Sequence, residues 1–156
     1  MPAPTAHHQR LHALAGDWEG EEHVSTSPWA EGGPATSRVQ THMGLGGLWL
    51  TQDYAQERNG RPSFSVHASI GHDEQQGYAL FWLDSAGFVP QGPAWGQWAD
   101  EQTLVFIRTS PRGQARHSYR IISADRYEMV IENSWDQGQS WSEFMRGIYR
   151  RVLSPA

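Results

Sequence analysis

The chain of 156 residues contains no cysteine and no lysine. Without cysteine there is no disulfide, no thiolate metal ligand and no cysteine nucleophile. Zinc or iron would have to be held by His, Asp and Glu alone. Without lysine there is no Schiff-base amine and no Walker lysine. All 12 basic residues are arginines, set against 17 acidic residues for a formal charge of −5. They are scattered along the chain, so the basic stripe that a phosphate backbone demands is missing and no nucleic-acid partner is expected. No apolar run approaches the roughly 20 residues of a membrane span. The first eight residues lack the charged-then-apolar pattern of a signal peptide. The expected address is cytoplasmic, with no membrane partner. Gly-x-Ser-x-Gly is absent, and Gly32-Gly33 and Gly44-Leu45-Gly46-Gly47 precede strands rather than helices. Neither a hydrolase nucleophile nor a phosphate cradle is indicated.

What the chain does have is eight tryptophans and sixteen glycines. Many short strands joined by tight turns would use both. Thr5 can cap a short helix over 6–15, with Leu11, Leu14 and Ala15 as its apolar side. Gly16 suits its end. Such a helix is too short to stand free and must dock. From Trp18 onward, β-branched and aromatic segments alternate with turn clusters. They predict strands near 17–26, 35–43, 47–58, 62–71, 77–84, 93–99, 102–109, 114–122, 126–134 and 141–152. Asn59-Gly60 has the composition of a type I′ turn, which needs two positive φ values.

Ten short strands with hairpin-length links form a meander, and closing it removes the sticky edges. The expected fold is therefore all-β: a single closed antiparallel barrel of about ten strands over 17–152. A helix at 5–15 caps one end, and 1–4 are expected to be disordered. One domain is expected over 1–156. Alternate hairpins lie at opposite ends of a meander. The Trp29 loop, Asn59-Gly60, the Phe88 loop, the Arg112 turn and the Gly138 turn should then share one mouth, with the helix under the opposite floor. The 77–84 and 102–109 segments are apolar on both faces. Their outer face should be covered by the helix, by a loop or by a second subunit, so a homodimer is one expectation.

Helix, Gly16-Asp17-Trp18, then a meander resembles the calycins: lipocalins, fatty-acid-binding-protein-like and nitrobindin-like barrels. Four further stretches resemble the bacterial domain-of-unknown-function family numbered 1579 over about 11–151. They are Ser27-Pro28-Trp29, Gln52-Asp53-Tyr54, Tyr78 to Asp84 with Ser85-x-Gly87, and Trp141-x-x-Phe144-Met145-x-Gly147-x-Tyr149-Arg150. The resemblance implies a calycin-like barrel and a tryptophan, Trp18, packed across its floor. It implies no assigned activity. Nitrobindins hold haem through a histidine late in the chain. Here the last histidine is His117 and the closing strand has none.

The eight histidines form no His-x-His or His-Glu-x-x-His spacing. No metal site and no cofactor is expected. His7 and His8 should be solvent-exposed. His23 and His117 should lie toward the mouth and His42 near the floor, while His67 shares a face with serines. Asp53 and Asp84 stand out among the carboxylates for their aromatic or apolar flanks. Arg116 and Arg120 share one face. They could pair a ligand carboxylate as lumen arginines do in fatty-acid-binding-like barrels, or pair with surface glutamates.

The function expected is binding of a small apolar or amphipathic molecule in the barrel cavity. Trp29, Phe88, Trp95, Trp135 and Trp141 would surround the entrance, with Arg116, His117 or Tyr119 as polar anchor. One alternative is an enzyme using a His–carboxylate pair in the barrel. A second is haem or metal binding, with ligands assembled from separate strands.

Overall fold

The computed structural model describes residues 2–153. Met1 of the expected disordered start, and 154–156 of the expected domain, lie outside these residues. Residues 2–4 form neither helix nor strand.

Ten strands close into an antiparallel meander barrel. They are β1 (Gly16–Val24), β2 (Gly33–Gly44), β3 (Trp49–Arg58), β4 (Arg61–Asp73) and β5 (Gly77–Asp84). The second half comprises β6 (Ala94–Trp98), β7 (Thr103–Ser110), β8 (Gly113–Ser123), β9 (Arg126–Ser134) and β10 (Ser142–Arg151). Each strand pairs with its chain neighbours. β1 closes the ring on β10, from Trp18 opposite Arg151 to Val24 opposite Met145. Asn59 and Gly60 have φ of 54° and 73°, the pair of positive values a type I′ turn requires.

The N-terminal helix α1 (Ala6–Arg10) is shorter than expected, and the chain continues as a 3₁₀ turn over Leu11–Leu14. The tighter turn drives Leu11 and Leu14 into the barrel end, where they are 0% and 1% exposed. His8 is buried rather than exposed. Its Nδ1 accepts from the Thr5 amide at 3.0 Å, so the imidazole caps the helix instead of reaching solvent. His7 stays exposed and stacks on His72 at 4.2 Å.

Side chains alternate in and out along every strand. Trp18, Phe106, Tyr119, Tyr127 and Tyr149 fill the helix end and are all 1–2% exposed or less. The Trp18 indole N–H donates to the Leu14 carbonyl at 3.0 Å, its ring meets Tyr127 edge-on at 4.7 Å, and Arg151 lies 4.3 Å over its face. Arg151 also donates to the Ala15 carbonyl at 2.6 Å. Helix end, first strand and last strand therefore meet on one indole. At the opposite end lie the two longest links, 25–32 and 85–93, with the Arg112 turn.

The outer face of β5, β6 and β7 is not covered by the helix. Phe81, Leu83, Trp95 and Ile107 remain 38–49% exposed.

Trp18→Ala should lose roughly 3–5 kcal/mol of stability. Trp18→Phe keeps most of the packing but leaves the Leu14 carbonyl unpaired, and should lose less. Urea unfolding of the three proteins checks this ranking. An unchanged midpoint in Trp18→Ala would remove Trp18 from its place as the floor plug.

Candidate functional site

The barrel interior is closed at the helix end and open at the other. A cavity of about 520 Å³ runs in from the mouth. Its apolar wall includes Phe64, Val66, Trp82, Met129, Ile131 and Met145. Gln52, Tyr54, Gln56, Asp84, Arg108 and Asn133 bring polar groups into the same space.

Below one wall sits a buried carboxylate. Trp18 faces inward, so the period of two turns Gly20, Glu22 and Val24 inward as well. Glu22 is 6% exposed. It accepts from the Tyr54 hydroxyl at 2.8 Å, from Gln56 Nε2 at 3.1 Å and from the Tyr149 hydroxyl. Burial, and then the Glu22 charge, push both phenols far above their ordinary range, so they remain protonated donors. Gly20 and Gly147 make room for this arrangement. A Cβ at either would come within 2.5 Å of the Tyr149 ring or hydroxyl.

The opposite wall carries Trp82, Asp84, Arg108 and His117. Trp82 Nε1 donates to Asp84 Oδ2 at 2.8 Å, and the Ala86 amide donates to Asp84 Oδ1 at 2.9 Å. Arg108 lies 5.3 Å over the Trp82 ring, and its Nε donates to His117 Nε2 at 3.4 Å. His117 is wholly buried and meets Trp82 at 4.5 Å. Its Nδ1 has no hydrogen-bond partner. Burial, and then the neighbouring Arg108 charge, lower its pKa to about 3. The ring is therefore neutral, which is what lets Nε2 accept.

The expected site residues divide between inside, rim and outer wall. Trp29 lines the cavity and stacks on Trp135 at 5.9 Å across the rim. Arg112 lies between Trp29 and Phe88, 5.0 Å and 5.2 Å from the two rings. His117 and Tyr119 face inward, but behind and beneath the open cavity. Arg116 faces outward. It forms a bidentate pair with Glu132 at 2.9 and 3.0 Å and lies 4.3 Å over Trp141. Trp141 is thus on the outer wall with it. Trp95 also points outward, between Ala79 and Ile107. Arg120 pairs with Glu128 on the outside. Adjacent strand residues cannot share a face, so Arg116 and His117 never could both enter the lumen.

Asp53 and His67 form a pair at 2.7 Å, but on the outer wall with side chains 64% and 54% exposed. His23 and His42 are exposed as well. Among the described residues, no group of three His, Asp or Glu side chains is arranged to hold a metal ion. His117, the histidine aimed inward from the wall, has its Nε2 engaged by Arg108.

Arg108, Arg112, Trp82 and the Glu22 cluster were not among the expected binding residues. Glu22 could have been found by carrying the phase of Trp18 along β1. Arg108 and Trp82 could not, because β7 and β5 are apolar on both faces.

In the unfolded chain a histidine takes up a proton below about pH 6.5, whereas native His117 does so only near 3. Between these values the unfolded chain binds more protons. Stability is therefore full above about pH 6.5 and falls as the pH drops toward 3. At about 1.4 kcal/mol per pH unit, roughly 3 kcal/mol should be lost between pH 6.5 and 4.5. His72, lowered by burial and by His7 and His8, acts in the same direction. Urea midpoints from pH 7 to 4.5 should decline, and His117→Gln should flatten the decline. An identical slope in the variant would show that His117 titrates freely.

Among the described residues, no helix is long and apolar enough to cross a membrane. No curated protein matches the sequence. Three solved structures are similar along nearly their whole length. Rv2717c from M. tuberculosis has 16% identity and a TM-score of 0.75, with 96% of this chain and 99% of that chain covered. The S-type phycobiliprotein lyase CPES from Guillardia theta has 10% identity and a TM-score of 0.68, covering 97% and 100%. EF1p2_mFAP2b bound to DFHBI has 11% identity and a TM-score of 0.51, covering 94% and 100%. At these identities the likeness is one of fold. The family model described as a protein of unknown function (DUF1579) matches residues 3–151. With that match spanning nearly the whole chain, and a closed ten-stranded barrel of calycin-like layout formed by it, the chain belongs to the DUF1579 family.

Proposed function

We propose that the barrel binds a small apolar or amphipathic molecule in its lumen. The observation that carries this reading is the cavity of about 520 Å³, open at the mouth and lined by both aromatic and polar side chains. A barrel of about eight strands has an interior that side chains can fill or that can hold one small ligand. In this ten-stranded barrel the side chains fill the helix end and leave the mouth half open. A space of this size falls within the range of small-molecule sites, and the mixture of apolar wall with a few polar groups is typical of them. The similar barrel EF1p2_mFAP2b, whose structure is bound to DFHBI, supports the capacity of such a fold to hold a compact organic molecule.

Titration with the neutral dye Nile red tests the reading. One saturable site per chain is expected, with strong fluorescence enhancement. Met129→Trp, which fills the lumen, should weaken binding at least tenfold. Trp95→Ala, on the outer wall, should leave it unchanged. Absence of saturable binding, or equal loss in both variants, would overturn the reading.

A further inference from the structure

The charges that line the cavity do not follow those of the whole chain. Arg58, Arg108 and Arg112 face Glu31 and Asp84 there, three positive against two negative, in a protein of net charge −5. The arginines of the outer wall behave differently. Arg116 pairs with Glu132 at 2.9 Å, Arg146 with Glu128 at 3.0 Å and Glu143 at 2.8 Å, and Arg151 with Asp125 at 3.5 Å. Arg108 has no carboxylate within ion-pair distance among the described residues, although it is half-buried.

Asp84, the acid whose charge reaches Arg108, makes its hydrogen bonds elsewhere. Both oxygens of Asp84 accept hydrogen bonds, one from the Trp82 indole and one from the Ala86 amide. Asp84 thus fixes the Trp82 ring over which the guanidinium lies. His117 fixes the other side by accepting from Arg108 Nε. The fork is held at Nε and across one face, while its two Nη groups have no protein acceptor among the described residues. A guanidinium presents two parallel N–H donors that match a carboxylate, and a half-buried charge is costly until it is matched. Arg112 lies at the rim instead, its cation over Trp29 and Phe88.

We propose that the lumen selects an organic monoanion, a carboxylate on an apolar body, and seats the carboxylate on the two free Nη groups of Arg108. This inference rests on the lumen being a binding site. Asp84 beside the anchor disfavours a dianion such as a phosphate monoester. Phe64, Val66, Met129, Ile131 and Met145 receive the body. Asp84 and His117 are positioning residues that act through Arg108.

Decanoate and 1-decanol, which share an apolar body and differ in charge, are the probes. Each is titrated against the Nile red complex at pH 7.5. Decanoate should bind about tenfold more tightly than decanol, the value of one charge-assisted pair. Arg108→Met should erase that preference while leaving decanol affinity unchanged, and Arg116→Met should alter neither. The comparison of the two probes on the natural protein needs no variant, so it stands even where Arg108→Met fails to fold. Equal affinities with Nile red still bound would overturn the anion inference and leave the lumen reading standing. Loss of Nile red binding itself would overturn both.

Discussion

The contact on which the rest of the barrel depends is the one around the Trp18 indole. Its N–H is taken by Leu14, its edge by Tyr127 and its face by Arg151. These three residues come from the N-terminal turn, from β9 and from the last residue of β10. A closed barrel has to bring its first and last strands together, and that pairing is the most distant in sequence that the chain makes. Loop-closure entropy opposes it more than any hairpin. The indole supplies buried area and a directed hydrogen bond at the place where that closure occurs. The helix segment follows, since it is too short to persist without the carbonyl contact.

Closure at one end leaves freedom at the other. The aromatic layer of Trp18, Tyr119, Tyr127 and Tyr149 seals the interior from below, so the mouth half can stay unfilled without the barrel collapsing. Within that half the polar groups are held in two separate clusters. Glu22 is surrounded by donors that carry no formal charge, Tyr54, Gln56 and Tyr149. Arg108 is surrounded by neutral or committed groups, His117, Trp82 and Asp84. Arg108 thus faces the lumen, while Glu22 stays buried behind Tyr54 and Gln56.

The sequence made the architecture legible because the signals for it are local. Turn residues, alternation and hairpin lengths set ten strands to within a few residues, and the parity of the hairpins separated the Trp29 and Phe88 loops from the helix. The lumen was harder to read. Alternation reveals the inward face only where one face is polar, as in β4. In β7 the sequence Leu104-Val105-Phe106-Ile107 is apolar on both faces, so the phase of Arg108 was hidden. In β8 the sequence offers Arg116 or His117 as anchor, and their adjacency allows only one inside. The burial of His8 is hidden for another reason. Its burial depends on a reach back to Thr5 and on the ring of His72, 64 residues away in the chain, and no local pattern encodes that.

The placement of Arg112 has a consequence for how the mouth opens. Its guanidinium touches rings from two loops, Trp29 between β1 and β2 and Phe88 between β5 and β6, while Trp29 leans on Trp135 between β9 and β10. With its own turn, four of the links around the rim are fastened through one cation. Each such contact is worth about 0.5–2 kcal/mol. No one of these loops can swing aside without breaking a contact to another. On the proposed reading, a molecule entering the lumen would have to part these contacts together.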